Sequence, residues 1–375
     1  MKATRVSGTA PGVTTFRSAT TVVSGFGSLS GLPDHFAALG AERVAVIADR
    51  GVAEAGLLAR VLGPDGRIPV RTTQLIAPNP DVAATEAAAS AARRAGCDAV
   101  LAVGGGSALG AAKAVAIRIT NDQPITAYEG SGRVTTRPAP TVAVPTTAGS
   151  GSEVSNALVL HEPGRDREII VRGPGCEPAV ALLDGAVLRD LPRTPMLYAA
   201  LDALTHAMEA LWARGGGTVT DALASAAADR ILTVLPRALE DRDDDALQLL
   251  LEASCMANLA CGNSGLGLVH ALSAAPDIKL PHGYQNGALL PYVARFNEQV
   301  LATEHRPLVH RIAALYDSVG FAGRFDGGEL TAHHGRAMVR ATQDHPFRLN
   351  NRRPSTDEDL FSILHEAGIM NEERS

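Results

Sequence analysis

Aromatic residues make up only 4% of the 375-residue chain, charged residues 20%, and the cysteines number four. Each scarcity excludes something. Cys97, Cys176, Cys255 and Cys261 form no Cys-x-x-Cys pair and sit among apolar neighbours, so buried reduced thiols are expected, not a disulfide framework or a zinc ribbon. No Lys/Arg run exceeds two residues and the formal net charge is -6, so the basic footprint of a nucleic-acid or anionic-membrane binder is missing. No uncharged apolar stretch reaches the roughly 18 to 20 residues that span a bilayer, and MKATRVSGTAPGVTTFRSATTVV at the N-terminus has no apolar signal core. The expectation is a cytoplasmic protein without nucleic-acid or membrane partners. What is abundant is apolar: 46% of the residues are hydrophobic, with 37 Gly and 22 Pro. Such a chain buries enough surface to offset its ordering entropy. Its length suggests two domains, and a small molecule is the expected partner.

From about residue 43 short apolar runs alternate with helix-length segments, the pattern of βαβ units and a parallel sheet. Arg43 to Ala48 reads as a buried strand, with a helix expected from Gly51 to Leu62. Asp81 should cap a helix ended by Gly96. Ala99 to Val103 is a strand leading through Gly104-Gly105-Gly106-Ser107 into an Ala-rich helix to about Ile119, and Thr141 to Val144 is another strand. After about Leu191 helices take over, starting with Thr194 as N-cap and Pro195 at N1. The predicted architecture is an α/β N-terminal domain over 1–190, with a parallel, Rossmann-like sheet, and an all-α C-terminal domain over 191–375. A ligand is expected in the cleft between the two.

A strand ending in Gly104-Gly105-Gly106-Ser107 at a helix start gathers free backbone N–H groups and the positive end of a helix dipole, which suits a phosphate. Neither GxxxxGK[ST] nor GxGxxG is satisfied, and a plain tight turn explains the same residues. Asp49, just past its strand, sits where a parallel sheet presents its carboxyl edge to ligands. A carboxylate there would bind an adenosine ribose and repel a 2'-phosphate, or simply cap the next helix.

The segment from Pro195 to Trp212 is apolar nearly all round and should be buried. Asp202 and His206 interrupt it at i and i+4, on one face. A buried carboxylate needs compensation: a structural Asp–His pair and two ligands of one metal ion are both open readings. His270, in another apolar stretch, and His282, after Pro281, favour the metal. Three neutral imidazoles and one carboxylate suit Fe(II) or Zn(II). His35, His161, His305, His310, His345 and the pair His333–His334 lie in polar surroundings. With so few aromatics, only Trp212, Tyr198 and Tyr284 are expected near this cluster, among small aliphatic side chains.

These residues, taken together, resemble the iron-containing (group III) alcohol dehydrogenases, which share the dehydroquinate synthase-like fold. The matching segments are IADRG with Asp49, APNP with Asn79, GGGS, PTTAGSGSEVSN from Pro145, DALTHAMEAL from Asp202, GLVHALS with His270 and PHGYQNGALLPYVARFN from Pro281. The resemblance implies that Asp202, His206, His270 and His282 hold the metal and that Gly104, Gly105, Gly106 and Ser107 hold the NAD pyrophosphate. It places Asp49 on the adenosine ribose, Thr146 and Thr147 along the cofactor and Asn79 near the adenine side, and it carries over a homodimer. The implied activity is metal-dependent hydride transfer between NAD, in preference to NADP, and a primary alcohol or aldehyde held by the metal.

The chain departs from the family pattern at four places. Gly110 replaces the Asp of GGGSxxDxAK, Ala274 replaces a further histidine, the stretch from His270 to His282 is two residues shorter, and Glu168 beside Arg167 stands where a lysine is usual. Alternatives are a maleylacetate reductase-type oxidoreductase, suggested by Gly110, a lyase of dehydroquinate-synthase type, and a non-catalytic NAD-binding paralogue.

Overall fold

The structure, a computed structural model, describes residues 13–162, 167–275 and 278–369. The chain divides into two compact units. An α/β unit takes Ser18–Met196 together with Arg242–Cys255, and a helical unit takes Leu197–Asp241, Met256 onward and the described residues up to Arg17.

The α/β unit holds strands β1 (Thr21–Ser24), β2 (Val44–Asp49), β3 (Val70–Ile76), β4 (Ala99–Gly104), β5 (Gly130–Ser131), β6 (Thr141–Pro145), β7 (Ala157–Glu162), β8 (Arg167–Arg172) and β9 (Val180–Leu183). Six form a sheet in the order β1-β9-β6-β4-β2-β3, every pairing parallel. The expected parallel sheet is therefore found. Its central strands read VAVIAD, AVLAVG and TVAVP and are buried almost without a break, because helices cover both faces of a parallel sheet. The edge strand β3, VRTTQLI, alternates instead between half-buried and exposed positions, so its weak apolar signal went unread, as did those of β1, β7, β8 and β9. The three-stranded sheet β5-β8-β7 stands apart from the first.

The helices of this unit are α1 (Leu32–Ala38), α2 (Arg50–Glu54), α3 (Leu57–Leu62), α4 (Val82–Arg94) and α5 (Gly106–Thr120). Asp81 caps α4 as expected, its carboxylate accepting from Ala84 N–H at 2.6 Å. The single helix predicted over 51–62 is instead two, because Gly56 turns left-handed at φ 73° between them. Small residues let α4 and α5 lie close on the sheet, where Ala88, Ala92, Leu109, Ala112 and Val115 pack against Ala45, Ile47, Val100 and Ala102 in one buried cluster.

From residue 193 the chain is mostly helical: α6 (Arg193–Leu211), α7 (Thr218–Glu240), α8 (Asp244–Ser264), α9 (Leu268–Ser273), α10 (His282–Asn297), α11 (Arg306–Val319), α12 (Ala332–Thr342), α13 (Pro346–Asn350) and α14 (Asp357–Glu366). Helix α6 starts earlier than predicted. Met196 N–H donates to the carbonyl of Pro192, so Thr194 lies inside the helix and Pro195 falls at its third position, where no N–H partner is required. Residues 200 to 213 are all buried, as the lack of a polar face demands. All four cysteines are free and buried. Among the described residues no helix is long and apolar enough to cross a membrane.

Candidate functional site

Asp202 and His206 face the same way from α6, His270 comes from α9, and His282 opens α10. Helix α10 can begin against α6 because residue 283 is glycine: a Cβ there would lie 2.1 Å from the carbonyl oxygen of Tyr198. One ligand atom each from Asp202, His270 and His282 lies within 4.8 Å of the others. Asp202 Oδ1 is 3.6 Å from His270 Nε2, 3.6 Å from His282 Nε2 and 3.9 Å from His206 Nε2. Four atoms bound at about 2.1 Å around a tetrahedral cation are roughly 3.4 Å apart, so the separations are close to those of a metal site. The His206 and His270 rings stack at 4.8 Å, 13° from parallel. His282 is the exposed member, with 54% of its side chain accessible.

Two buried residues that the sequence reading did not single out complete the cluster. The amide nitrogen of Asn286 is 2.7 Å from Asp202 Oδ1, 3.1 Å from His270 Nε2 and 3.0 Å from His282 Nε2. All three atoms thus lie within hydrogen-bond distance of its NH2 group. Glu209, with no accessible surface, reaches His270 Nδ1 at 2.7 Å. A carboxylate only accepts, so Nδ1 carries a proton, and Nε2 is the ring nitrogen that faces the cluster. Signals for both were present: Glu209 is a further charge on the apolar helix that carries Asp202, and Asn286 follows His282 by one helical turn.

The electrostatics have the same origin. Burial alone would raise the Asp202 carboxyl, but His206, His270 and His282 hold it well below the usual carboxylate range. Burial pushes His206 down to about 4 against the pull of Asp202. For His270 burial also pushes down, yet the carboxylates of Glu209 and Asp202 win and lift it to about 9. The aromatic expectation needs correcting. Tyr198 and Tyr284 lie 5.5 Å apart with Phe321 and Phe325 beside Tyr284, so two phenylalanines distant in sequence join the two expected tyrosines.

A second constellation lies in the α/β unit. The chain moves from β2 outward to β3, then returns to the other side of β2 with β4, which makes the carboxyl ends of β2 and β4 a topological switch point. Asp49 ends β2 and Gly104 ends β4. Gly104 has φ 152°, and a Cβ on it would meet Ala108 Cβ at 2.7 Å and Asp49 Cβ at 2.9 Å. A Cβ on Gly106 would lie 2.8 Å from Ser150 Oγ, and one on Gly105 3.2 Å from Thr147 Oγ1. Helix α5 starts at this turn with no side chain capping it, so its N–H groups and dipole suit an anion. Asn79 N–H donates to Ser107 Oγ at 3.2 Å, and Thr146 N–H donates to the Gly104 carbonyl at 3.0 Å. All eight positions singled out here, Asp49, Asn79, Gly104 to Ser107, Thr146 and Thr147, thus lie around one strand-to-helix turn and its neighbours. Burial raises the Asp49 carboxyl, against backbone N–H groups of Gly51, Gly105 and Arg50.

Lys113 went unread. Buried in α5, it donates to the carbonyls of Ser152 at 2.9 Å, Ser155 at 3.1 Å and Ala157, pinning the segment after Thr147 to the helix. Burial pushes this amine down to about 8 and the nearby buried Glu153 up to about 7. Of the four departures, Gly110 has space for a Cβ, which would meet the Val159 carbonyl at 3.7 Å. Ala274 is the exposed C-cap of α9, and Glu168 is exposed on β8 opposite His161. The shortened stretch lies partly outside the described residues, at 276 and 277.

Comparison with known proteins gives the family. The family description "iron-containing alcohol dehydrogenase" matches residues 19–185, and "Fe-containing alcohol dehydrogenase family, C-terminal" matches 196–368. The chain is 33% identical to the probable alcohol dehydrogenase EutG of Escherichia coli over 92% of this chain and 93% of that one. It is 37% identical to the NAD-dependent methanol dehydrogenase of Bacillus methanolicus over 54% of each. The crystal structure of a sulfoacetaldehyde reductase from Bifidobacterium kashiwanohense in complex with NAD+ superposes with a TM-score of 0.87 at 28% identity, covering 96% of this chain and all of that one.

Proposed function

This chain belongs to the iron-containing alcohol dehydrogenase family and is an oxidoreductase acting on CH–OH groups, and from that footing we propose that Asp202, His206, His270 and His282 hold a divalent metal for hydride transfer between NAD(H) and a small primary alcohol or its aldehyde. The convergence of Asp202 Oδ1, His270 Nε2 and His282 Nε2 carries the reading. Three imidazoles and one carboxylate fit Fe(II), with Zn(II) the other ion this donor set takes. When bound, such a metal polarises the substrate oxygen as a Lewis acid, and the nicotinamide gives or takes the hydride.

The chain's own part is placement. Asp202 and the three histidines fix the cation, and Asn286 keeps the Asp202 carboxylate oriented. The α/β unit, expected from the sequence over 1–190, supplies NAD binding, and the helical unit, expected over 191–375, the metal-binding, catalytic part; Arg242–Cys255 fall with the former and the described residues up to Arg17 with the latter. In the first, the N–H groups around Gly104, Gly105, Gly106 and Ser107 take the pyrophosphate, Asp49 accepts from the adenosine ribose, Thr146 and Thr147 line the cofactor, and Asn79 lies toward the adenine. A carboxylate at 49 repels a 2'-phosphate, which supports NAD over NADP. Ala274 offers no proton acceptor, so the substrate proton passes to water or to ribose hydroxyls. The reading includes a cytoplasmic homodimer, whose subunit number light scattering measures directly.

The test is a panel of alcohols and aldehydes with NAD(H) and NADP(H), after anaerobic reconstitution with Fe(II). Turnover with NAD(H) that scales with bound metal is expected. Stoichiometric metal with no turnover on any member would overturn the substrate assignment, and absence of metal uptake would overturn the site.

A further inference from the structure

We propose that Glu209 is the positioning residue of the metal centre: its carboxylate locks His270 in the Nδ1–H form, aims Nε2 at the cation and supplies the second negative charge of the site. The inference rests on the metal reading above and adds to it a residue that makes no contact with the metal.

Asp202, His206 and Glu209 lie at i, i+4 and i+7 of α6 and so share one face. The carboxylate of Glu209 is saturated. Oε2 accepts from Gly267 N–H at 2.7 Å and from His270 Nδ1 at 2.7 Å, while Oε1 accepts from Val269 N–H at 2.6 Å and His270 N–H at 3.3 Å. Three of these donors are backbone groups at the start of α9, which has no cap from its own N-cap residue. One side chain therefore anchors the backbone of the His270 segment and orients the imidazole it carries. Residue 267 must be small for this, since a Cβ there would lie 3.1 Å from Oε1.

His206 provides the contrast. Among the described residues its buried Nδ1 has no hydrogen-bond partner, and its ring stacks on that of His270. His270 is thus the imidazole with a carboxylate behind it, and His206 stacks on its ring.

Charge gives the second argument. Imidazoles must be neutral to ligate, which leaves Asp202 and Glu209 as two negative charges. A divalent cation brings the buried set to zero. Replacing Glu209 by glutamine leaves one positive charge in excess in a site without accessible surface at Glu209, and turns an NH2 group toward donors. Loss of such an outer partner typically weakens metal binding about 10- to 100-fold.

The experiment titrates metal-free parent and Glu209→Gln with Zn(II) in competition with a chromophoric chelator, and follows thermal unfolding of both metal-free proteins. The expected result is Zn(II) affinity weakened about 10- to 100-fold in a variant that remains folded. A merely structural role lowers the unfolding midpoint and leaves the affinity ratio near one, which overturns the proposal. Should Glu209→Gln not fold, the Zn(II)-loaded parent decides by 15N NMR of its histidines, with His270 assigned by its absence from His270→Gln. A proton on Nδ1 and metal on Nε2 is expected, and the opposite tautomer overturns the proposal. A parent that takes up no Zn(II) removes the metal reading itself, and this inference with it.

Discussion

The two constellations of this enzyme are built by opposite means. The helical one is made of side chains: a carboxylate and three imidazoles carried by largely apolar helices and gathered around Asp202 Oδ1. The one in the α/β unit is centred on backbone, since a Cβ at Gly104 or Gly106 would collide with Ala108, Asp49 or Ser150. The difference teaches what each tolerates. A buried charged cluster fails when one member is removed, because the remaining charges lose their compensation. A backbone cradle fails when something is added, because space and N–H direction are its whole content.

The sharpest way to break this comparison is to remove a member of the first cluster. His270→Ala should lose bound metal and lower turnover by about a thousandfold or more, since several kcal/mol of charge stabilisation go with the ion. Metal analysis and nicotinamide absorbance check it, and a variant keeping both sinks the site. Adding one methyl group tests the cradle: Gly106→Ala should raise the KM for NAD about tenfold or more through overpacking against Ser150, with metal content unchanged. If it loses metal as well, the two constellations are not independent.

Glu153 sharpens the contrast from inside the α/β unit, which also buries a carboxylate, with Lys113 and Cys255 in its field. Its folded pKa is raised from 4.5 to about 7, so the folded state keeps a proton that the unfolded chain has lost. The stability this group contributes is complete below pH 4.5 and is lost as pH rises to about 7, at up to roughly 1.4 kcal/mol per pH unit. Denaturant unfolding of parent and Glu153→Gln across that window should show a steeper fall in the parent; parallel profiles would refute the assignment. The smallest effect is expected at the outer end of the cradle. Asp49→Ser should raise the NADP-to-NAD ratio of kcat/KM severalfold, about 1 kcal/mol of discrimination, and an unchanged ratio removes Asp49 from the ribose.

Much of the architecture was legible because burial writes itself into patterns. The central strands β2, β4 and β6, the cap at Asp81 and the helix carrying Asp202 and His206 all lie in runs whose polarity admits one reading. Strand β3 was not legible, since an edge strand need not be apolar, and the break at Gly56 was not, since a single glycine is compatible with helix. Asp202, His206, His270 and His282 stood out as polar residues in apolar surroundings or beside a helix start. Lys113 and Asn286 did not, because their meaning lies in contacts with Ser152, Ser155 and Ala157, or with Asp202, His270 and His282.

The sequence by itself determined the fold class, the family and the residue types proposed as ligands, because hydrophobic periodicity and residue identity are local properties. Only the tertiary structure decided that Asp202 Oδ1 lies 3.6 Å from imidazoles 68 and 80 positions away. It also decided that Phe321 and Phe325 gather beside Tyr284, and that Glu209 stands behind His270. Hydrogen bonds and charge compensation depend on distances of a few ångströms between residues far apart in the chain, and those distances are fixed by how α6, α9 and α10 pack.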